Sequence, residues 1–126
     1  MENNLKTKIK SFTDLNAWRE GHKLVLMIYA ATEKLPKKEI FCLVIQMRRA
    51  VISITSNIAE GFSRRTNKEK CQFYSISHGS LTEIQNQLLI TRDLGYIGRE
   101  EFNKIAAQTV SVHKLITGLK KYICNT

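Results

Sequence analysis

The stretch SNIAEGFSRRTNKEK, residues 56 to 70, contains the end of one predicted helix and the start of the next. Ile58 and Phe62 continue an apolar stripe at helical spacing, so the first half is predicted to pack against a core. Thr66 and Glu69 form the pattern T-x-x-E, a capping box that opens a new helix. A short basic turn lies between the two halves. Because short turns join antiparallel helices, the chain is predicted to reverse its direction here.

Apolar residues recur at helical spacing in four segments of the chain. The predicted helices cover residues 13–34, 37–62, 66–94 and 100–123. Pro36 and Gly95 separate them, since proline disfavours helix at the residue before it and glycine suits a helix end. We therefore predict an all-α fold, an antiparallel up-down-up-down four-helix bundle over residues 13–126. A basic N-terminal arm, residues 1–12, precedes it.

Two stretches are apolar on every side of a helix: LVLMIYAA, residues 24–31, and IFCLVI, residues 40–45. A surface helix needs only one apolar stripe, so the surplus predicts a protein contact, most simply with a second copy of this chain. The predicted interface residues are Leu24, Met27, Ile28, Ile40, Phe41 and Leu43. Alternatively, loops or the N-terminal arm cover these side chains.

The composition indicates an anionic partner. The 126 residues include 20 Lys and Arg against 11 Asp and Glu, which gives a formal net charge of +9. Such a surplus favours nucleic acid, an anionic membrane surface or an acidic protein. The alternative is a protein with many solvated surface lysines. The longest apolar run has eight residues, too few to span a bilayer, and no membrane partner is predicted.

The basic residues gather in three places that an up-down bundle would bring to one end of the molecule. The N-terminal arm contributes Lys6, Lys8 and Lys10. The candidate nucleic-acid-binding residues lie in the second turn and the last helix: Arg64, Arg65, Lys68, Lys70, Lys114, Lys120 and Lys121. Clustered cations of this kind suit contacts with the phosphates of RNA or DNA. The alternative is a set of separate, solvated charges.

Asn57 and Glu60 interrupt the apolar end of the second helix and allow two interpretations. A buried carboxylate with a raised pKa could act as a general acid or base. In the structural interpretation, Glu60 pairs with Arg48 or Arg49, and Asn57 satisfies backbone groups near a helix end. We favour the structural interpretation, because the chain offers no convincing set of catalytic partners.

The sequence contains none of the motifs G-x-S-x-G, H-E-x-x-H, G-x-G-x-x-G or the P-loop. His22, His78 and His113 each lack the Glu three residues upstream that a di-metal bundle uses. We expect no enzyme activity, no metal and no cofactor. Gly79, in the middle of the third helix, predicts close packing against another backbone, or alternatively a notch for a ligand.

Cys42, Cys71 and Cys124 are widely spaced and form no C-x-x-C pair. Neither a zinc ribbon nor a disulfide scaffold is predicted. We expect three reduced thiols in a cytoplasmic protein.

Two segments carry a family resemblance: QMRRAVISITSNIAEGFSR, residues 46–64, and GSLTEIQNQL, residues 79–88. The chain from Asp14 to about Ile97 resembles small four-helix-bundle proteins first noticed as reading frames within intervening sequences of bacterial large-subunit ribosomal RNA. One departure is Thr55, where the family commonly has proline.

The resemblance implies a four-helix bundle, often assembled as a ring-shaped pentamer. Related proteins are basic accessory subunits beside reverse transcriptases in diversity-generating retroelements, where they contact the enzyme and nucleic acid. The resemblance supplies no catalytic residue. We expect an oligomeric bundle that binds RNA or DNA backbone without catalysis. The alternative is a protein-interaction scaffold, whose partner could be a reverse transcriptase, with no role in nucleic-acid binding.

Overall fold

Four long helices make up most of the molecule. Our computed structural model describes residues 8–124. The helices are α1 (Asn16–Thr32), α2 (Ile45–Ser63), α3 (Asn67–Asp93) and α4 (Arg99–Cys124). No β-strand occurs in that part of the chain. The predicted all-α four-helix fold is confirmed.

A short 3-10 turn, Phe12–Asp14, comes before α1, where the sequence predicted the helix itself to start. Ser11 caps this turn with its hydroxyl, and the Asp14 carboxylate accepts the backbone N–H of Ser11 at 3.1 Å. The Phe12 ring packs edge-on against Trp18, with 5.4 Å between ring centroids. The backbone is extended at Leu15, so the α-helix begins one residue later.

The predicted N-terminal arm falls only partly within the described residues. Residues 1–7, and with them Lys6, lie outside the described residues. Lys8 and Lys10 are exposed.

The second helix begins with irregular turns. A 3-10 turn, Lys37–Glu39, leads into five residues of π-helix, Ile40–Val44. The Glu39 carboxylate accepts the backbone N–H of Leu43 at 3.4 Å and so caps the π-helical turn. Beyond it, α2 is α-helical without interruption past Thr55.

Both ends of α3 follow the sequence signals. The Thr66 hydroxyl accepts the backbone N–H of Glu69 at 3.1 Å, as the T-x-x-E pattern predicts. At the other end Gly95 has φ +78°, a left-handed conformation that glycine adopts without steric strain. The Tyr96 N–H then bonds back to the Thr91 carbonyl at 3.0 Å, which closes the helix end.

Consecutive helices run antiparallel, because the early part of each helix lies beside the late part of the next. Gly21 of α1 lies against Thr55 of α2, Met47 of α2 lies 3.5 Å from Thr91 of α3, and His78 of α3 lies 2.8 Å from His113 of α4.

The connected ends of consecutive helices also meet. Thr32, at the end of α1, accepts a hydrogen bond of 2.9 Å from Arg48, near the start of α2. Arg92, near the end of α3, lies over the ring of Phe102, near the start of α4, at 5.1 Å. Helix α4 also packs against α1, so the four helices surround one core.

The closest approach is between α2 and α3. A Cβ atom added to Gly61 would lie 2.6 Å from the ring of Tyr74, which is itself buried. Two turns before Gly61 on α2, the Ile54 carbonyl accepts a hydrogen bond of 2.7 Å from the buried Ser77 hydroxyl. The predicted close packing at Gly79 is wrong, because no atom lies within 4 Å of its Cβ position and the residue is exposed.

Leu24 and Ile28 have no exposed surface and belong to the core. The prediction that they form an oligomer interface is therefore wrong. Four residues apart, they lie on the inward stripe of α1. The stretch from 24 to 31 is apolar all round, so its composition does not show which side faces inward.

We expect opposite effects from alanine at two glycines. Gly61→Ala should lower the free energy of unfolding by about 1–3 kcal/mol, because the methyl group has no room beside the buried Tyr74 ring. Gly79→Ala should raise it by up to about 1 kcal/mol, since open space and a helical backbone leave only the gain in helix propensity. Urea unfolding of both variants measures the difference. Equal effects would contradict the close contact of α2 with α3.

Candidate nucleic-acid interface

The turn between α2 and α3 and the end of α4 meet at one end of the bundle. Cys71, in the first turns of α3, forms a disulfide with Cys124, the last residue of α4, with 5.8 Å between the Cα atoms. Lys68 lies three residues before Cys71, and Lys121 lies three residues before Cys124. Each lysine is thus about one helical turn from the disulfide, and the antiparallel fold has brought the two basic clusters together.

The disulfide corrects the expectation of three reduced thiols. The sequence offered a signal that was missed, because the topology that joins the basic clusters also joins Cys71 and Cys124. Only Cys42 is a free thiol among the described residues, and it is exposed.

Two of the predicted phosphate-binding residues are already engaged within the fold. Arg64 pairs with Glu60 at 2.6 Å, and its guanidinium lies 4.6 Å from the centroid of the Phe73 ring. Lys70 donates to the Phe62 carbonyl at 2.7 Å, one of the last carbonyls of α2. These contacts hold the turn together, so neither cation is fully available to a ligand.

Four others are available. Arg65, Lys68, Lys114 and Lys121 are exposed, and none of them pairs with a carboxylate within residues 8–124. Of the seven predicted cations, these four are therefore free of ion pairs, whereas Arg64 and Lys70 stabilise the turn. Lys120 has a separate role, which involves two histidines.

Lys120, His78 and His113 form a hydrogen-bonded chain between α3 and α4. Lys120 Nζ is 3.4 Å from His78 Nδ1, and His78 Nε2 is 2.8 Å from His113 Nδ1. An ammonium group can only donate, so His78 Nδ1 accepts and the proton of this ring is on Nε2, which donates to His113. Both imidazoles are neutral in this arrangement, which the hydrogen-bond pattern assigns. Burial, then the charge of Lys120 and then His113 lower the pKa of His78.

The predicted structural polar residues make different contacts from those expected. Glu60 is exposed and pairs with Arg64 rather than with Arg48 or Arg49. Arg48 lies more than three turns back along α2 and pairs with Glu33 of the α1–α2 connection at 3.1 Å.

Arg48 also stacks on Tyr29, with the guanidinium 4.4 Å from the ring centroid. Arg49 is exposed on α2. Asn57 does satisfy a backbone group, but within α2: its amide donates to the Ser53 carbonyl at 2.8 Å. A buried acid at Glu60, catalytic or structural, is therefore ruled out by its exposure.

The four remaining residues of the predicted oligomer interface differ in their exposure. Ile40 is 46% exposed and Phe41 86%, whereas Met27 and Leu43 are half-buried and pack against the core. Leu26, which was not predicted, is 58% exposed on the outer side of α1.

Charge is distributed unevenly between the two ends of the bundle. We call residues 8–14, 60–70 and 114–124 the basic end; they hold nine Lys and Arg and three Asp and Glu. We call residues 33–39 and 92–104 the mixed end; they hold six Lys and Arg and five Asp and Glu. Most of the surplus positive charge therefore lies at one end.

Two other kinds of feature are absent from the described part of the chain. Between residues 8 and 124, no three His, Cys, Asp or Glu side chains come together in a way that could hold a metal ion. None of the helices in this range is long and apolar enough to cross a membrane.

The fold and this surface define a class: an antiparallel four-helix bundle with one strongly basic end. The family model for the 23S rRNA-intervening sequence protein matches residues 13–118, and the chain belongs to this family. This confirms the resemblance noted in the sequence. No curated protein matches the chain.

The fold is also similar to the crystal structure of a protein with unknown function from the S23 ribosomal protein family of Bacteroides thetaiotaomicron. The TM-score is 0.77 at 20% sequence identity, and the alignment covers 83% of this chain and 95% of that one. At this identity, the similarity supports the fold alone.

Replacing both cysteines of the disulfide should destabilise the bundle. The bond closes a loop with a sequence separation of 53. For that length, the loss of loop entropy in the unfolded chain corresponds to about 4 kcal/mol, and measured effects are often smaller. We expect the Cys71→Ser/Cys124→Ser variant to lose about 2–4 kcal/mol of unfolding free energy in urea. Cys42→Ser is the matched control and should change little. Equal stabilities for the two variants would contradict a stabilising disulfide.

The histidine chain predicts a loss of stability in acid. Because the pKa of His78 is lower in the folded protein than its ordinary 6.5, the unfolded chain takes up this proton first. The free energy of unfolding should therefore fall as the pH drops below 6.5 towards the folded pKa. His78→Asn should remove part of this slope in urea titrations between pH 5 and 8. His22→Asn, the matched loss of one imidazole on α1, should retain it. An unchanged slope in His78→Asn would contradict the assignment.

Proposed function

We propose that this protein is a non-enzymatic helical bundle that binds RNA or DNA through contacts between backbone phosphates and the basic end. The observation that carries the proposal is the separation of charge: nine cationic side chains against three carboxylates at the basic end, and near balance at the mixed end. Phosphate contacts of this kind give affinity without reading the base sequence.

Helix electrostatics account for only part of this positive charge. A helix C-terminus favours cations, which explains Lys70 beside the end of α2 and Lys120 and Lys121 in the last turns of α4. Lys68 lies in the first turn of α3, and Arg65 lies just before it. Arg65 also directly follows the C-terminal cap of α2, which favours a cation there. A helix N-terminus disfavours positive charge, so the fold gives no reason for Lys68. An anionic ligand would supply one.

One aromatic side chain favours single strands. Tyr122 is 78% exposed and follows Lys121 directly. An exposed ring beside cations can stack on an unpaired base while the cations meet the backbone, and stacking of this kind is tolerant of sequence.

We also infer that the protein associates with itself through the start of the second helix. Ile40, Phe41 and Ile45 expose 46%, 86% and 41% of their surface on consecutive turns. Exposed apolar side chains in a group usually mark a protein contact. The family resemblance favours a ring of five subunits. Such a ring would present several copies of the basic end to one polyanion and raise the affinity above that of a single subunit.

A scaffold for another protein is the second candidate. The same exposed apolar group supports it, because a different chain, such as a reverse transcriptase, could cover Phe41. The two candidates differ in what the basic end binds, so the experiments below separate them.

Replacing the two free cations at the α2–α3 turn should weaken nucleic-acid binding. In the Arg65→Ala/Lys68→Ala variant, two fewer phosphates are neutralised, so the salt slope should flatten by about 1.4 for a single strand. Affinity should fall alike for unrelated sequences. Fluorescence anisotropy with RNA and DNA oligonucleotides, from low to physiological salt, measures both effects.

Lys37→Ala/Lys38→Ala is the matched control, because it removes two exposed cations from the mixed end. It should leave the slope unchanged. Absence of binding at low salt, or equal slopes in both double variants, would contradict the proposal and favour the scaffold.

Phe41→Asp should dissociate the oligomer, because a charge would replace the most exposed apolar side chain of the group. Light scattering at micromolar concentration should give the mass of an assembly for the native protein and a much smaller mass for the variant. Val110→Asp, at a site 47% exposed on α4, is the control and should retain the assembly. A monomer mass for the native protein across a dilution series would contradict self-association.

A further inference from the structure

A small cleft lies between α3 and α4, next to the disulfide. It has a volume of about 250 Å³ and is lined by His78, Thr117, Lys120, Lys121 and Cys124. One water molecule occupies about 30 Å³ in the liquid, so the cleft has room for a phosphate-sized group.

The polar groups around the cleft suit an anion. Neither Lys120 nor Lys121 pairs with a carboxylate of the described chain. The Thr117 hydroxyl is buried and finds no hydrogen-bond partner among the described residues. The cleft is therefore lined by two ammonium groups and by Thr117, whose hydroxyl is unused, and no carboxylate of residues 8–124 is paired with either lysine.

The protonation state of His78 decides how many donors face the cleft. When both imidazoles are neutral, Lys120 donates one N–H to His78 Nδ1. The N–H of His78 is itself donated to His113, so His78 has no donor left for a ligand. A proton on Nδ1 would break the contact with Lys120, because both atoms would then be donors. One added proton would thus free a donor on Lys120 and create another on His78.

The titratable groups that face His78 do not favour this proton while the cleft holds no anion. On α4 they are Lys120, which is charged, and His113, which is neutral in the hydrogen-bonded chain. Helix α2, on another side of α3, contacts Ser77 and Ser80 instead of His78. A bound anion would reverse the balance, since it would offset the charge of Lys120 and accept from the new imidazolium donor.

We propose that this cleft is an oxyanion site that takes one phosphate group together with one proton, which His78 accepts on Nδ1. Its natural ligand is a backbone phosphate of the nucleic acid, and that part of the proposal rests on the function proposed above. The oxyanion site itself depends only on the residues of the cleft.

The first experiment uses sulfate, a tetrahedral oxyanion whose charge is constant between pH 5 and 8. The imidazole signals of the full-length, disulfide-bonded protein are followed by NMR during pH titrations in sodium sulfate and in sodium chloride of equal ionic strength. Sulfate should raise the pKa of His78. A rise of one unit corresponds to about tenfold tighter binding to the protonated form.

Two controls define the site. The imidazole signals of His22, which stacks on Trp18 in α1 and does not line the cleft, should show no difference between the two salts. Lys120→Met should abolish the effect of sulfate on His78 while the chloride titration is still measurable. Identical titrations of His78 in sulfate and chloride would overturn the proposal, as would a response to sulfate that survives in Lys120→Met.

The second experiment identifies the source of the phosphate. The affinity for a single-stranded oligonucleotide is measured by anisotropy at pH 7.5 and 5.5, with circular dichroism as a check of folding at each pH. Native protein should gain affinity on acidification, by about tenfold for each unit of pKa rise, and His78→Asn should lose most of this gain. Inorganic phosphate should compete with the oligonucleotide at this site.

The outcomes are distinguishable. An equal gain in native protein and His78→Asn would overturn the assignment of the cleft to a backbone phosphate. If the oligonucleotide does not bind at either pH, the proposed function fails, and the nucleic-acid ligand fails with it. The sulfate titration still decides whether the cleft is an oxyanion site.

Discussion

The close contact of α2 with α3 is the constraint on which the rest of the structure depends. Gly61 leaves no room for a side chain beside the buried Tyr74 ring, and the Ser77 hydroxyl reaches the Ile54 carbonyl across the same interface. These contacts fix the distance and the register of the two helices. The turn between them, and the start of α3 against the end of α4, are then placed as well.

The same contact explains why polar side chains are tolerated near the core. Ser80 donates to the Ser53 hydroxyl at 2.8 Å, and Asn57 donates to Ser53 from one turn further along α2. Ser80 reaches its partner because the two backbones are close, whereas Asn57 finds its partner within α2. A satisfied buried group avoids the free-energy penalty of an unpaired one. This small network replaces the buried ion pair that Glu60 was expected to form.

The helices and most of their ends could be predicted from the sequence, because apolar periodicity, Thr66 and Gly95 act locally. Interactions between distant residues were harder to predict. Glu60 was expected to be buried because its neighbours in the sequence are apolar. However, Glu60 is two residues from Ile58 and therefore lies on the opposite side of the helix. The π-helical turn at Ile40–Val44 is capped by the Glu39 side chain, and no pattern in the sequence indicates this turn. The disulfide could have been predicted from the same antiparallel topology that predicted the basic clusters at one end of the bundle.

The disulfide also determines which parts of the chain would carry a pulling force. A force applied at the two termini would be carried from Cys71 directly to Cys124, so most of α3 and all of α4 would bear none of it. Only the part with α1 and α2 could be drawn out. The sequence separation of 53 would remain hidden, which corresponds to about 180 Å of extension that appears only after reduction. The basic turn lies at the boundary between the extensible half of the molecule and the locked half.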